Sequence, residues 1–224
     1  MRRVWTNVIL CVAVLLLTRG AVMQAQGGAQ RLVVDTAASH IYVVTHRSGL
    51  FSFLGHEHAI VAPVWTANLC WDEAAPANSY ARLDIDARAL IIDSAEARAL
   101  AGLGRGPSAS QRAEIQQKML DASHLAVDEY PELQFETLSV SGGEAGALVL
   151  RGQLTIKGVT REVELPASID TSQPNIVRLS ATLKIRQSHF GIKPESIAAV
   201  VKVSDPVDLH ISIQAAITER ACER

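Results

Sequence analysis

The side chains with the strongest chemical character form a triplet, His56-Glu57-His58, in a glycine-flanked segment that follows His46. In an extended chain His56 and His58 leave the backbone on the same side. Two neutral imidazoles so placed, with His46 as a third ligand, would suit zinc, copper or nickel. The competing reading is a polar rim of histidines hydrogen-bonded within a loop. Catalysis has less to build on. The chain holds no Gly-x-Ser-x-Gly turn and no cysteine partnered with a base, and Asp84 and Asp86 lie between Arg82 and Arg88 like a charge-balanced wet face. His189, beside Phe190, is placed to touch a ligand head group or to serve as an ordinary loop residue.

The elements that would carry these side chains are strands. Leu179, Ala181, Leu183 and Ile185 alternate with Arg178, Ser180, Thr182, Lys184 and Arg186, and Val207, Leu209, Ile211, Ile213 and Ala215 alternate with Asp208, His210, Ser212 and Gln214. Period-two alternation predicts strands with one wet and one dry face. Similar runs fall at Arg31–Asp35, Ser39–His46, Ile60–Asp72, Ala81–Ala89, Leu133–Ser141, Leu148–Ile156 and Arg161–Asp170. In the Ile60–Asp72 run Cys70 falls on the polar side. Between the runs, Gln111–Leu120 reads as a helix with Ser108 and Gln111 spaced as a capping box. Its narrow apolar stripe, Ile115 and Met119, suits a helix that lies over a surface or covers an opening.

Eight or nine antiparallel strands with one principal helix make an all-β protein. Closure into a barrel of about eight strands removes exposed edges, with a two-sheet sandwich as the alternative. Eight strands leave an interior that side chains fill or one slim ligand occupies. The dry-face residues Phe135, Leu154, Leu165, Leu183, Ile185, Leu209 and Ile211 would line that interior. Phe51, Phe53, Leu54 and Met119 would close its mouth, and Phe190 completes the candidate ligand-binding set.

The chain has 224 residues with 21 basic and 23 acidic side chains. Residues 1–28 read as a secretory signal: Arg2 and Arg3, an apolar run from Val8 to Leu17, then small residues with cleavage between 25 and 29. The apolar run is too short to span a bilayer. Without the segment's three arginines the net charge is −5, so neither nucleic acid nor anionic lipid is an expected partner. A single domain over 29–218 follows, then residues 219–224 as a disordered tail. Cys70 and Cys222 remain, free to pair in an oxidising compartment or never to meet. Monomer and homodimer are equally compatible with the sequence.

One segment has a family character. Leu150–Pro166, LRGQLTIKGVTREVELP, resembles the turn hairpin of YceI-like proteins. Lys118–Phe135 (KMLDASHLAVDEYPELQF), Ile185–Ile192 (IRQSHFGI) and Val203–Ile213 (VSDPVDLHISI) resemble three further family segments in the same order. The resemblance implies a lipocalin-like antiparallel barrel exported to the bacterial periplasm. It also implies an apolar cavity that, in some members, holds a polyisoprenoid chain such as a quinone or prenyl phosphate tail. The segment after His46, with Gly55-His56-Glu57-His58, departs from the common family pattern. Two functions follow as expectations: a secreted, non-enzymatic binder of an isoprenoid-type lipid or quinone, with no other cofactor, or a metal-linked or stress-response periplasmic protein working through His46, His56 and His58.

Overall fold

In the computed structural model, which describes residues 28–48, 57–194, 196–197 and 201–222, the alternating runs become strands of one antiparallel sheet. In chain order they are β1 (Gln30–Val34), β2 (His40–Ser48), β3 (His58–Val61), β4 (Trp65–Trp71), β5 (Tyr80–Asp86), β6 (Ile91–Ile92), β7 (Glu132–Gly142), β8 (Ala147–Ile156), β9 (Val159–Asp170), β10 (Ile176–Arg186), β11 (Ser196–Ile197) and β12 (Val201–Ala221). Two helices, α1 (Ala95–Leu100) and α2 (Ala109–Leu120), lie between β6 and β7. Neighbours run β1-β4-β5-β7-β8-β9-β10-β12, and β12 returns to β1, closing an eight-stranded barrel. No helix among the described residues is long and apolar enough to cross a membrane.

Two runs read as single strands are broken, and the breaks shape the barrel. Ile60–Asp72 splits into β3 and β4 around Pro63, which has no N–H to give a ladder. Ala81–Ala89 stops at Asp86, whose carboxylate accepts from Arg88 N at 3.0 Å and caps a short 3-10 turn. A similar turn, capped by Asp35, separates β1 from β2. Strands β1, β4 and β5 wall one end of the barrel, while β2, β3 and β6 continue the wall from β12 at the other.

Local chemistry sets the rest of the register. The β8–β9 hairpin turns on Lys157 (φ +50°) and Gly158 (φ +70°), both left-handed as a two-residue hairpin loop requires. Gly152, inside β8, leaves room for the Phe135 ring, because a Cβ there would lie 2.7 Å from it. The capping box expected at Ser108 and Gln111 is present. Helix α2 buries Met119, and its Gln116 side chain accepts from Ile92 N (2.8 Å) and donates to Leu90 O (2.7 Å), fixing the helix to β6.

Two expectations about the C-terminal end are corrected. Residues 219–222, expected to lie in a disordered tail, are ordered: β12 continues to Ala221, and Cys222 N donates to Ala29 O at 3.1 Å. Cys70 is buried rather than on a wet face, and it forms a disulfide with Cys222 across a Cα separation of 5.8 Å. Strand β1 brings them together, pairing Arg31 with Cys70 on one edge and Gln30 with Ala221 on the other. Periodicity within one strand carries no information about that meeting.

The disulfide joins positions 152 residues apart, so it removes much of the unfolded chain's freedom. Reduction, or Cys222→Ser, should lower the unfolding free energy by about 4 kcal/mol. Denaturant titration with and without reductant checks this, and an unchanged midpoint would contradict it.

Candidate functional site

The dry faces of the strands turn inward, but they are not uniformly covered. Leu183 pairs with Leu209, Leu209 with Val43 and Val43 with Ile60, so these four side chains form one row across β10, β12, β2 and β3. All four are only half-buried. The next row toward the β2–β3 end, Ile185, Val207 and Thr45, is buried, as are Ala181 and Ile41 on the other side. Protein atoms therefore cover the wall fully on the Ile185–Val207–Thr45 side, while on the other side Ile211, between Ala181 and Ile41, is half-buried like the row itself. An apolar row left partly uncovered is a candidate binding surface.

Toward the β1–β4 end the interior closes around a cavity of about 60 Å³, lined by Leu83, Phe135, Leu150, Leu165, Val177, Ile213 and Trp71 among others. A dry cavity of ~150 Å³ holds a benzene ring, so this space takes a few atoms and no ring. Leu179 and Ile211, both half-buried, line it on the side facing the exposed row. The wall itself parts beside that row. Hydrogen-bonded pairing of β9 with β10 ends at Ala167 and Ala181, one residue after Pro166. Beyond it lies a cleft of about 300 Å³ lined by Arg161, Val163, Lys184, Ile185, Arg186, His189, Phe190 and Pro206.

The candidate binding residues fall into three groups. Leu183, Leu209 and Ile211 belong to the half-exposed wall. Phe135 and Leu165 line the cavity, while Leu154, Ile185 and Met119 are buried core residues. Phe190 is 2% exposed, packs in the core and edges the cleft, and His189 beside it is exposed. Phe51, Phe53, Leu54 and His56 lie outside the described residues. The sequence reading missed Val43, Ile60 and Trp71; alternation marks all three as inward, but nothing in one strand says which inward positions are left uncovered.

The metal reading is not supported by the register. Thr45 pairs with His58, so His58 points inward, and His46, one residue along, points outward. The two cannot share a cation. His46 instead bridges two carboxylates, Nε2 to Asp208 Oδ2 at 2.8 Å and Nδ1 to Glu57 Oε1 at 3.3 Å. His58 Nδ1 meets Asp93 Oδ2 at 2.6 Å, and Asp93 Oδ1 also accepts from Arg98 Nη1 at 2.6 Å and from Ala59 N at 3.2 Å. Burial alone would raise the Asp93 carboxyl, but the hydrogen bond from His58 and those from Ala59 and Arg98 hold it below its ordinary range. This buried hub ties the start of β3 to α1, since Arg98 also donates to Glu57 O at 3.2 Å. Among the described residues, no three His, Cys, Asp or Glu side chains are grouped to hold a metal.

The YceI-like domain family matches residues 32–215, nearly the whole barrel. The chain belongs to the YceI-like family. Its fold is shared by BcnA of Burkholderia cenocepacia (TM-score 0.63, 18% identity, covering 82% of this chain and 99% of that one). A polyisoprenoid binding domain from Saccharophagus degradans, implicated in plant cell wall breakdown, aligns with TM-score 0.57 and 12% identity over 84% of this chain and 99% of its own. The Campylobacter jejuni YCEI protein aligns with TM-score 0.52 and 16% identity over 70% and 82%. No curated protein matches the sequence.

The segments that carry the family resemblance have clear structural work in this YceI-like barrel. The LTIKGVT hairpin is the β8–β9 turn, and Gly158 packs so closely on the Tyr130 ring that a Cβ would collide with it. Thus the Tyr130-Pro131 segment and the hairpin brace one another beneath β7. Ser188 closes onto β12 through Asp205, with N–H and hydroxyl both donating at 2.8 Å.

The outward histidines give a pH signature. The hydrogen bond to Asp208 raises His46 above its ordinary value, aided by Glu57, with Lys184 sharing Asp208 on the far side. Burial lowers His210, which stacks on Tyr42 at 4.7 Å. A raised histidine stabilises below its unfolded value, about 6.5, and loses that contribution as pH climbs through the folded value. A lowered one costs stability as pH falls below about 6.5. Melting temperature should therefore fall on the alkaline side of this point, and His46→Gln should flatten that fall while leaving the acid-side decline in place. An unaltered alkaline slope in the variant would contradict the assignment.

Proposed function

We propose that this YceI-like protein is an exported, non-enzymatic binding protein that holds an isoprenoid-type lipid against the inner wall of its barrel. The observation that carries the reading is the half-buried row Ile60–Val43–Leu209–Leu183, bounded by the buried Ile185, Val207 and Thr45 on one side and by the buried Ala181 and Ile41, with half-buried Ile211 between them, on the other. A slim branched hydrocarbon chain lying along that row would remove it from water at about 0.8 kcal/mol per buried CH₂, with little need of polar contacts. The polyisoprenoid binding domain named among its structural relatives supports the choice of chain. The parted wall between β9 and β10 supplies a lateral way in. Its cations sit at the rim, where Lys184 and Arg186 are paired with Asp208 and Asp205.

Export is supported by the basic, apolar and small-residue order of residues 1–28 and by a disulfide, which persists in oxidising compartments.

Native mass spectrometry and organic extraction of the protein purified from the compartment it is exported to should reveal a co-purifying isoprenoid-type lipid. Leu183→Trp should fill the row and reduce the recovered lipid at least about tenfold, because the added ring occupies the ligand's volume. Lipid recovery equal to wild type would remove Leu183 from the binding wall, and a wild-type protein that neither carries nor takes up lipid would defeat the proposal.

A further inference from the structure

The closed end of the lumen holds one polar group with nothing to bind. Trp71, on β4, is 7% exposed and lines the 60 Å³ cavity. Among the described residues its Nε1–H finds no acceptor. A buried N–H without a partner is uncommon and costs free energy, so such a group points to something that completes it. The one hydroxyl beside it belongs to Ser79, which pairs laterally with the Trp71 region of β4 and accepts from Asp72 N at 3.0 Å. The rest of the lining is apolar apart from Tyr80, whose hydroxyl donates outward to Glu136 at 2.9 Å. Among the described residues, no lysine, arginine or histidine lines the cavity.

We infer that Trp71 is a specificity-determining residue: its indole N–H anchors the leading end of the ligand through a neutral terminal oxygen, a hydroxyl or carbonyl. The inference rests on the lumen binding an isoprenoid chain and names which end of that chain goes in first and what it carries. Size and charge both lead there. A cavity of 60 Å³ receives an oxygen and the carbon or two behind it, with the chain running back past Leu179 and Ile211 to the exposed row. A phosphate would arrive with a charge, and one neutral donor among aliphatic and aromatic side chains does not offset the desolvation of an ion. A pure hydrocarbon would enter but leave the N–H unpaired. The terminal hydroxyl of a prenyl alcohol accepts from Trp71 and lies within the same small space as Ser79 Oγ.

Three probes share one fifteen-carbon skeleton and differ in their ends: farnesol, farnesene and farnesyl phosphate. Their affinities for the mature wild-type protein and for Trp71→Phe, measured by calorimetry, separate the contributions. The phenyl ring keeps most of the packing and loses only the donor. The variant should bind farnesol about tenfold more weakly, as one buried hydrogen bond warrants, and the other two probes within about twofold of wild type. Because the variant's folding is checked only indirectly, a second readout uses wild type alone: the Trp71 indole proton in a ¹⁵N spectrum should move downfield with farnesol and not with farnesene. Equal weakening of all three probes would make Trp71 a packing residue and overturn the inference, as would an indole proton unmoved by bound farnesol because a buried water holds it. Those two outcomes leave lipid binding standing. If none of the probes binds wild type, the lipid-binding reading itself fails and this inference fails with it.

Discussion

Strand β12 is the constraint on which the barrel depends. Its 21 residues offer two long edges, and every other part of the sheet must satisfy them. One edge takes β10 from Ile176 to Arg186; the other takes β2 and then β1. Because β1 also pairs with β4, the second edge closes the ring, and the ladder is left open only where β9 and β10 part beyond Ala167 and Ala181. The disulfide from Cys70 to Cys222 fastens the far end of the same strand, where fraying would otherwise open the seam between β1 and β12.

Closure around β12 also fixes which side chains share a level. Ladder pairing sets Leu183, Leu209, Val43 and Ile60 side by side, so the four share whatever the packing leaves empty. The neighbouring levels are filled by Ile185 and Val207 on one side and by Ala181 and Ile41, with half-buried Ile211 between them, on the other. The proposed binding surface is built from strand residues, with Trp71 at the closed end and the paired cations Lys184 and Arg186 at the parted wall. The histidine and carboxylate clusters lie apart from it. They hold β2, β3, α1 and β12 together through His46, Asp208, Asp93 and Arg98 and leave the wall apolar.

Much of this architecture is visible in the residues alone, because alternation is a local property. The strands from Leu148 onward, the capping box of α2 and the Lys157-Gly158 turn each follow from a few neighbouring residues, and the LTIKGVT hairpin attaches them to a family. What the residues leave open is relational. The strand breaks at Pro63 and Asp86 depend on where the barrel must bend, and the meeting of Cys70 with Cys222 depends on a third strand between them. His46 and His58 look like metal partners when counted along the chain, and only the pairing of Thr45 with His58 sends them to opposite faces. The inward positions of Phe135 and Leu209 look equivalent in sequence, yet one is packed and the other half-covered. That difference comes from volumes contributed by distant strands.

The central claim is that the half-exposed inner row is covered by the chain of a bound lipid. Isotope-filtered nuclear Overhauser spectroscopy on protein labelled at its Leu, Val and Ile methyl groups, loaded with an unlabelled isoprenoid, tests it directly. Contacts from the ligand's methyl groups should appear at Val43, Ile60, Leu183, Leu209 and Ile211, and be absent from the outward-facing Val149 and Val33. Contacts confined to the outer surface, or none at all with the ligand bound, would contradict the account.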